Sequence, residues 1–208
     1  MKKFRPVEPG ESQLEKILEA GIEEFADRGL DGARIEAISK RAGVAPSLLY
    51  YYFDDKEELY SAVLESALKS FIMGLGERLK EQGDFMSSFG PGMLSAFEMM
   101  RERPVLSRLL LRECLDGAKY LEILKARHPE WVGSNFRLMV ERLKEAMAAG
   151  VARQVDADRT VAIFASGLFL ILGALPVLKL MAPSVDQSDD PMVWFGVLVD
   201  IVANTLKP

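Results

Sequence analysis

Residues 34–58 read Arg-Ile-Glu-Ala-Ile-Ser-Lys-Arg-Ala-Gly-Val-Ala-Pro-Ser-Leu-Leu-Tyr-Tyr-Tyr-Phe-Asp-Asp-Lys-Glu-Glu. The stretch reads as a short helix, a glycine turn, a second short helix carrying three tyrosines, and the start of a third helix. Ile35, Ile38, Ala42, Val44, Leu49 and Phe53 are spaced to face one small core. Two short helices that cross steeply need little bulk at the crossing, which Ser39 and Ala42 supply. Gly43 stands where the chain must turn sharply with a positive φ, a conformation glycine adopts at no steric cost. This is the pattern of a helix-turn-helix, whose second helix enters the DNA major groove.

Outward from this motif, the rest of the chain also reads as helix. A capping-box pattern, Ser12-Gln-Leu-Glu15, opens a helix with Leu14, Ile17, Leu18, Ile22 and Phe25 at helical spacing, ended by Arg28-Gly29. Asp54 or Asp55 caps a long helix over 56–82. Breaks at Gly90-Pro91-Gly92, Pro104, Asp116-Gly117, Pro129, Gly150, Pro183 and Pro191 separate helices near 93–102, 105–115, 118–127, 130–149, 157–181 and 190–206. No alternating run reads as a strand, and no fixed repeat appears. The predicted fold is all-α: a three-helix helix-turn-helix DNA-binding domain over 1–55, then a larger helical ligand-binding and dimerisation domain over 56–208.

Composition narrows the function. With one cysteine, Cys114, and one histidine, His128, neither an internal disulfide framework nor a Cys/His zinc site can be assembled, and a reducing, cytoplasmic setting fits. The first residues carry no apolar run of the secretory type. A net charge of −5 argues against holding nucleic acid by bulk electrostatics. Residues 1–60 are themselves acidic, with 9 Lys/Arg against 13 Asp/Glu. A few placed contacts and dimerisation must then carry any DNA affinity. The cations are placed to suit: Lys2, Lys3 and Arg5 in a leading arm, and Arg34, Lys40, Arg41 and Lys56 around the motif. Val161–Leu178 is 18 residues without a charge, the minimum for a membrane span. Its Ser166, Gly167, Gly173 and Pro176 and its unbiased flanks favour a helix buried in a core or a subunit interface.

Ala42-Gly43-Val44, Leu49-Tyr50, Tyr52-Phe53 and Lys56-Glu57-Glu58-Leu59 stand in the order and spacing of a known signature. On these residues the chain resembles the TetR-family transcriptional regulators, over about residues 12–70. Beyond them, Gly150 to Asp158 before an apolar helix is similar to the start of that family's dimerising helix pair. The chain departs from the common pattern at Ala33-Arg34, where a hydroxyl often caps the second helix and meets a phosphate. It departs again at Ala45-Pro46, where a serine often opens the recognition helix, leaving Ser47 to take that role.

The resemblance implies a regulator that binds a double-stranded, palindromic operator and is released from it, as a repressor, by a small effector. It also implies a homodimer built on the last two helices, with Val161, Phe164, Leu168, Leu172, Trp194, Leu198, Ile201 and Val202 as interface candidates. In the family's pattern, Pro46, Ser47 and Tyr50 or Tyr51 point to DNA while Leu49 and Phe53 pack inward. Arg34 and Lys56 are placed to hold phosphates. Three consecutive tyrosines cannot all face a core, since successive residues lie about 100° apart on a helix, and Tyr52 is the one expected to pack in part. Met93, Phe97, Met100, Leu110, Cys114, Phe136, Met139, Leu143, Phe164 and Leu168 are candidates for an adaptable pocket for an apolar or aromatic effector. Arg112 and Glu113 are either its polar anchors or surface residues. No cofactor or metal is expected. No nucleophile–base pair or phosphate loop is visible, so no catalysis is expected. Two alternatives remain open on the sequence: a membrane-anchored sensor using 161–178, and a helical ligand-binding protein with an idle helix-turn-helix.

Overall fold

The computed structural model describes residues 11–80, 85–181 and 190–208, and the regular elements among them are all α-helices. The basic arm Lys2, Lys3 and Arg5 lies outside the described residues. In chain order the helices are α1 (Glu11–Gly32), α2 (Ile35–Ala42), α3 (Pro46–Tyr52), α4 (Lys56–Lys80), α5 (Phe85–Glu102), α6 (Pro104–Leu115), α7 (Lys119–Arg127), α8 (Ser134–Ala148), α9 (Ala157–Met181) and α10 (Pro191–Leu206). The chain forms two compact units, Met1–Leu68 with Arg108–Leu124, and Lys69–Ser107 with Lys125–Pro208.

In the first unit, Ile17, Phe25, Ile38, Leu49, Phe53, Leu59 and Leu64 are buried. Fully burying one such side chain stabilises by about 1.5–3 kcal/mol. Phe25, Tyr60 and Tyr120 meet edge to face in a row, with centroids 4.9 Å apart at each step. The expected helix end at Arg28-Gly29 is a kink inside α1: Gly29 has φ 68° and ψ 177°, and the helix resumes to Gly32. The α2 end is a left-handed glycine cap. Gly43 has φ 69° and ψ 33°, its N–H donates to the Lys40 carbonyl (3.3 Å), and that of Val44 donates to Ser39 (3.0 Å). Ser39 and Ala42 are buried where α2 meets its neighbours. Asp55 caps α4: the Glu58 N–H donates to Asp55 Oδ1 (2.7 Å), and the Asp54 N–H donates to Glu58 Oε2 (2.6 Å).

In the second unit, the rings of Phe89, Phe97, Phe164 and Phe195 form the centre, with Phe97 stacked on Phe195 at 4.3 Å and 11°. Two expectations of the sequence fail here. α5 begins at Phe85 and runs straight through Gly90-Pro91-Gly92, which was expected to be a break. Gly90 faces α10, where a Cβ would stand 3.4 Å from Val199 Cγ1, so the glycine serves close helix packing and not a turn. α8 begins at Ser134, not near 130, because the residues before it are tied as a loop. The Arg137 guanidinium donates to the carbonyls of Pro129 (3.2 Å), Glu130 (3.3 Å) and Val132 (3.1 Å). The described residues contain no helix long and apolar enough to cross a membrane. Val161, Phe164 and Leu168, at the start of the apolar run in α9, are spent on the core of this unit.

Candidate nucleic-acid interface

The candidate recognition element is α3, seven residues opened by Pro46 at its first position, where the missing proline N–H costs nothing. Leu49 alone is fully buried and anchors it, and Tyr52 is half-buried against Phe53. Pro46, Ser47, Tyr50 and Tyr51 are exposed, Tyr50 by 59% and Tyr51 by 70%. Their spacing (i, i+1, i+4, i+5) puts them on one face of the helix, opposite the Leu49 anchor. Ser47 does not cap α3: the N-cap position is Ala45, with no side-chain hydrogen bond. Arg34 is exposed at the N-cap of α2, again without a side-chain cap, and its N–H donates to Glu24 Oε1 (3.4 Å).

Lys56 is held more tightly than the sequence suggested. Its Nζ donates to the main-chain oxygens of Asp31 (3.1 Å) and Ala33 (3.3 Å), tying the start of α4 to the end of α1. Two of its three ammonium N–H groups are thereby used, and beside it the Glu58 N–H is capped by Asp55 and the Asp54 N–H is held by Glu58.

The candidate effector residues separate. Met93, Phe97, Met100, Met139, Leu143, Phe164 and Leu168 are buried together in the second unit, and Phe136 is half-buried there. Leu110 is buried in the first unit. Cys114 is exposed and is no pocket member. The residue that faces inward is its neighbour Glu113, which continues the apolar spacing of Leu106, Leu109 and Leu110 at i+7 from Leu106. That spacing was present in the sequence and would have identified it.

Glu113 is 1% exposed, and three donors satisfy its carboxylate: Tyr60 Oη (2.9 Å) and the N–H groups of Tyr120 (2.6 Å) and Leu121 (3.2 Å). Burial, and after it the Glu113 carboxylate, push the Tyr60 phenol well above its ordinary pKa. Arg28, Tyr60, Arg112, Glu113, Asp116 and Lys119 line a polar cleft of about 420 Å³ in the first unit.

The interface candidates also divide by exposure. Val161, Phe164 and Leu168 are buried in their own unit and cannot meet a second chain. Leu172, Trp194, Leu198 and Val202 are half-buried. Ile163, Leu170 and Val177 on α9, and Val193, Val197 and Ile201 on α10, are each more than half exposed. Spacings of seven on α9 and four on α10 align each set along one side of its helix.

Residues 17–63 match the family model for bacterial regulatory proteins of the tetR family. The HTH-type transcriptional regulator RutR of Escherichia coli is 35% identical over 105 residues, 50% of this chain and 49% of RutR. The chain thus spans about half the length of this relative. A fatty acid metabolism regulator protein of Bacillus subtilis is 25% identical over 154 residues, 67% of this chain and 75% of that one. In fold, SCO4942 of Streptomyces coelicolor superposes with a TM-score of 0.70 at 24% identity, covering 93% of this chain and 98% of that one. The helix-turn-helix region of the chain, residues 17–63, is therefore that of the tetR family of bacterial regulatory proteins, and further helices follow it.

Proposed function

We propose that the chain is a cytoplasmic, homodimeric transcriptional regulator that reads a palindromic duplex and is released from it, as a repressor, by a small apolar or aromatic effector. The observation that carries this reading is the exposed Pro46-Ser47-Tyr50-Tyr51 face of α3 within a helix-turn-helix. Large tyrosines left bare on so short a helix are a poor use of apolar area unless they meet a partner. Ser47 exchanges hydrogen bonds with base edges, Pro46 meets a thymine methyl, and the tyrosine hydroxyls bond phosphates or bases. Arg34 and the remaining N–H of Lys56 hold phosphate. In this division of labour residues 1–55 read DNA and 56–208 carry ligand binding and dimerisation.

The exposed apolar faces of α9 and α10 support the dimer, since two copies would bury them as a four-helix interface. Met93, Met100 and Met139, with Phe97 and Phe164, form a repackable core into which an apolar effector is admitted. A relative named for fatty acid metabolism is compatible with an effector of that class. Effector and operator must weaken each other reciprocally, by about 1–3 kcal/mol.

Selection from a random duplex pool at moderate salt tests the reading. The expected product is a palindrome with half-sites about one helical turn apart. No enrichment by folded, dimeric protein would overturn it.

A further inference from the structure

We propose that Arg112 and Glu113, consecutive residues of α6, are positioning residues for DNA reading: they fix the seating of the helix-turn-helix without touching DNA. The proposal rests on the DNA-binding reading above. It begins at the Gly29 kink, where α1 leaves helical geometry, so that carbonyls just before it lose their usual i+4 partners. Arg112 supplies donors there, with Nε donating to the Ala26 oxygen (2.7 Å) and Nη2 to that of Asp27 (2.8 Å). A guanidinium is suited to this, because its donors form a rigid planar fork and its charge complements a helix C-terminus. Arg108, one turn earlier on α6, adds an ion pair to Asp27 at 3.2 Å.

Glu113 works in the other direction. Its buried carboxylate ties the Tyr60 hydroxyl of α4 to the first N–H groups of α7. Tyr60 lies one turn after Lys56, whose ammonium holds the Asp31 and Ala33 carbonyls at the far end of the α1–α2 connection. The short connection from Gly29 to Arg34 is therefore gripped by α6 at its start and by α4 at its end. The α4 segment that grips it is itself tied to Glu113, and α2 starts one residue after the connection.

Directionality marks this as positioning. Apolar burial could hold these helices together, yet it is non-directional, whereas these bonds fix distance and angle. The net contribution of such bonds to stability is modest, and a buried polar group is often matched in stability by an apolar one. Glu113 is a buried acid whose carboxylate is satisfied within the protein, and Arg112 spends Nε and Nη2 on the carbonyls of α1.

The test uses the duplex recovered by selection, with Arg112→Met, Arg112→Lys and Tyr60→Phe in the full dimeric chain. Affinity for the selected and for a scrambled duplex is read well below the melting temperature, over a range of salt. Arg112→Met and Tyr60→Phe are each expected to lower selected-duplex affinity by about tenfold. Arg112→Lys, with one donor set in place of the fork, falls between. Scrambled-duplex affinity and the salt slope stay unchanged.

A lower melting temperature with selected-duplex affinity intact would mean a merely structural role and overturn the proposal. A salt slope smaller by about one would mean a direct phosphate contact and overturn it equally. Tyr60→Phe removes a single hydroxyl, so it decides the matter even where Arg112→Met does not fold. Wild-type protein that does not distinguish the two duplexes would instead remove the DNA-reading assignment itself.

Discussion

On the proposed function Lys56 combines two tasks in one side chain, because an ammonium offers three donors and two are spent on the Asp31 and Ala33 carbonyls. Lys56→Met is expected to cost about 1 kcal/mol of stability in thermal melting, the usual net worth of such bonds. The same variant should reduce the salt slope of duplex binding by about one, through the phosphate held by its third N–H. Tyr60 gives a pH prediction. Its folded-state pKa is raised by burial and by Glu113, so the neutral phenol is the form the fold accepts. Stability from this group is present below the ordinary tyrosine range, near pH 10, and is lost as pH rises above it. Tyr60→Phe should therefore flatten the fall of melting temperature above about pH 10. At this scale the sequence was legible for the α3 face, because the Leu49 spacing sets which residues turn outward. It was not legible for the Lys56, Arg112 and Glu113 bonds. The bonds from Lys56 to Ala33, from Tyr60 to Glu113 and from Arg112 to Ala26 join residues 23 to 86 positions apart, and no local pattern records them.

The turn between α2 and α3 isolates a backbone effect. Gly43 has φ 69°, and a Cβ there would meet nothing within 4 Å. Gly43→Ala should thus cost about 1–2 kcal/mol purely from left-handed strain, lowering the melting temperature by a few degrees. A neutral result would mean that the turn relaxes out of this conformation. Helix ends were readable where the signal is local, as at Ala157, where the Asp156 side chain accepts from the Arg159 N–H, and at the α7 end before His128-Pro129. They were misread where a distant partner decides. Gly90-Pro91-Gly92 carries every local mark of a break, yet packing against α10 keeps it helical. The start of α8 shifts because Arg137 reaches back to the preceding loop.

At the scale of the molecule, α9 and α10 each leave an apolar row exposed, Ile163, Leu170 and Val177 on the one and Val193, Val197 and Ile201 on the other. Val197→Glu places a charge in the middle of the α10 row and should halve the mass seen by sedimentation at micromolar concentration, leaving helicity intact. An unchanged mass would move the dimer contact elsewhere. The all-α plan was legible because helical spacing runs the length of the chain. The grouping of Arg108–Leu124 with the helix-turn-helix was not, since it depends on tertiary contacts to α1 and α4. That α3 reads DNA is most directly tested by titrating a labelled selected duplex with wild-type protein and with a Tyr50→Ala/Tyr51→Ala double variant. The account predicts one dimer per duplex and a loss of at least about tenfold in affinity for the variant, with melting temperature and dimer mass unchanged. Equal affinity from a folded, dimeric double variant would contradict it.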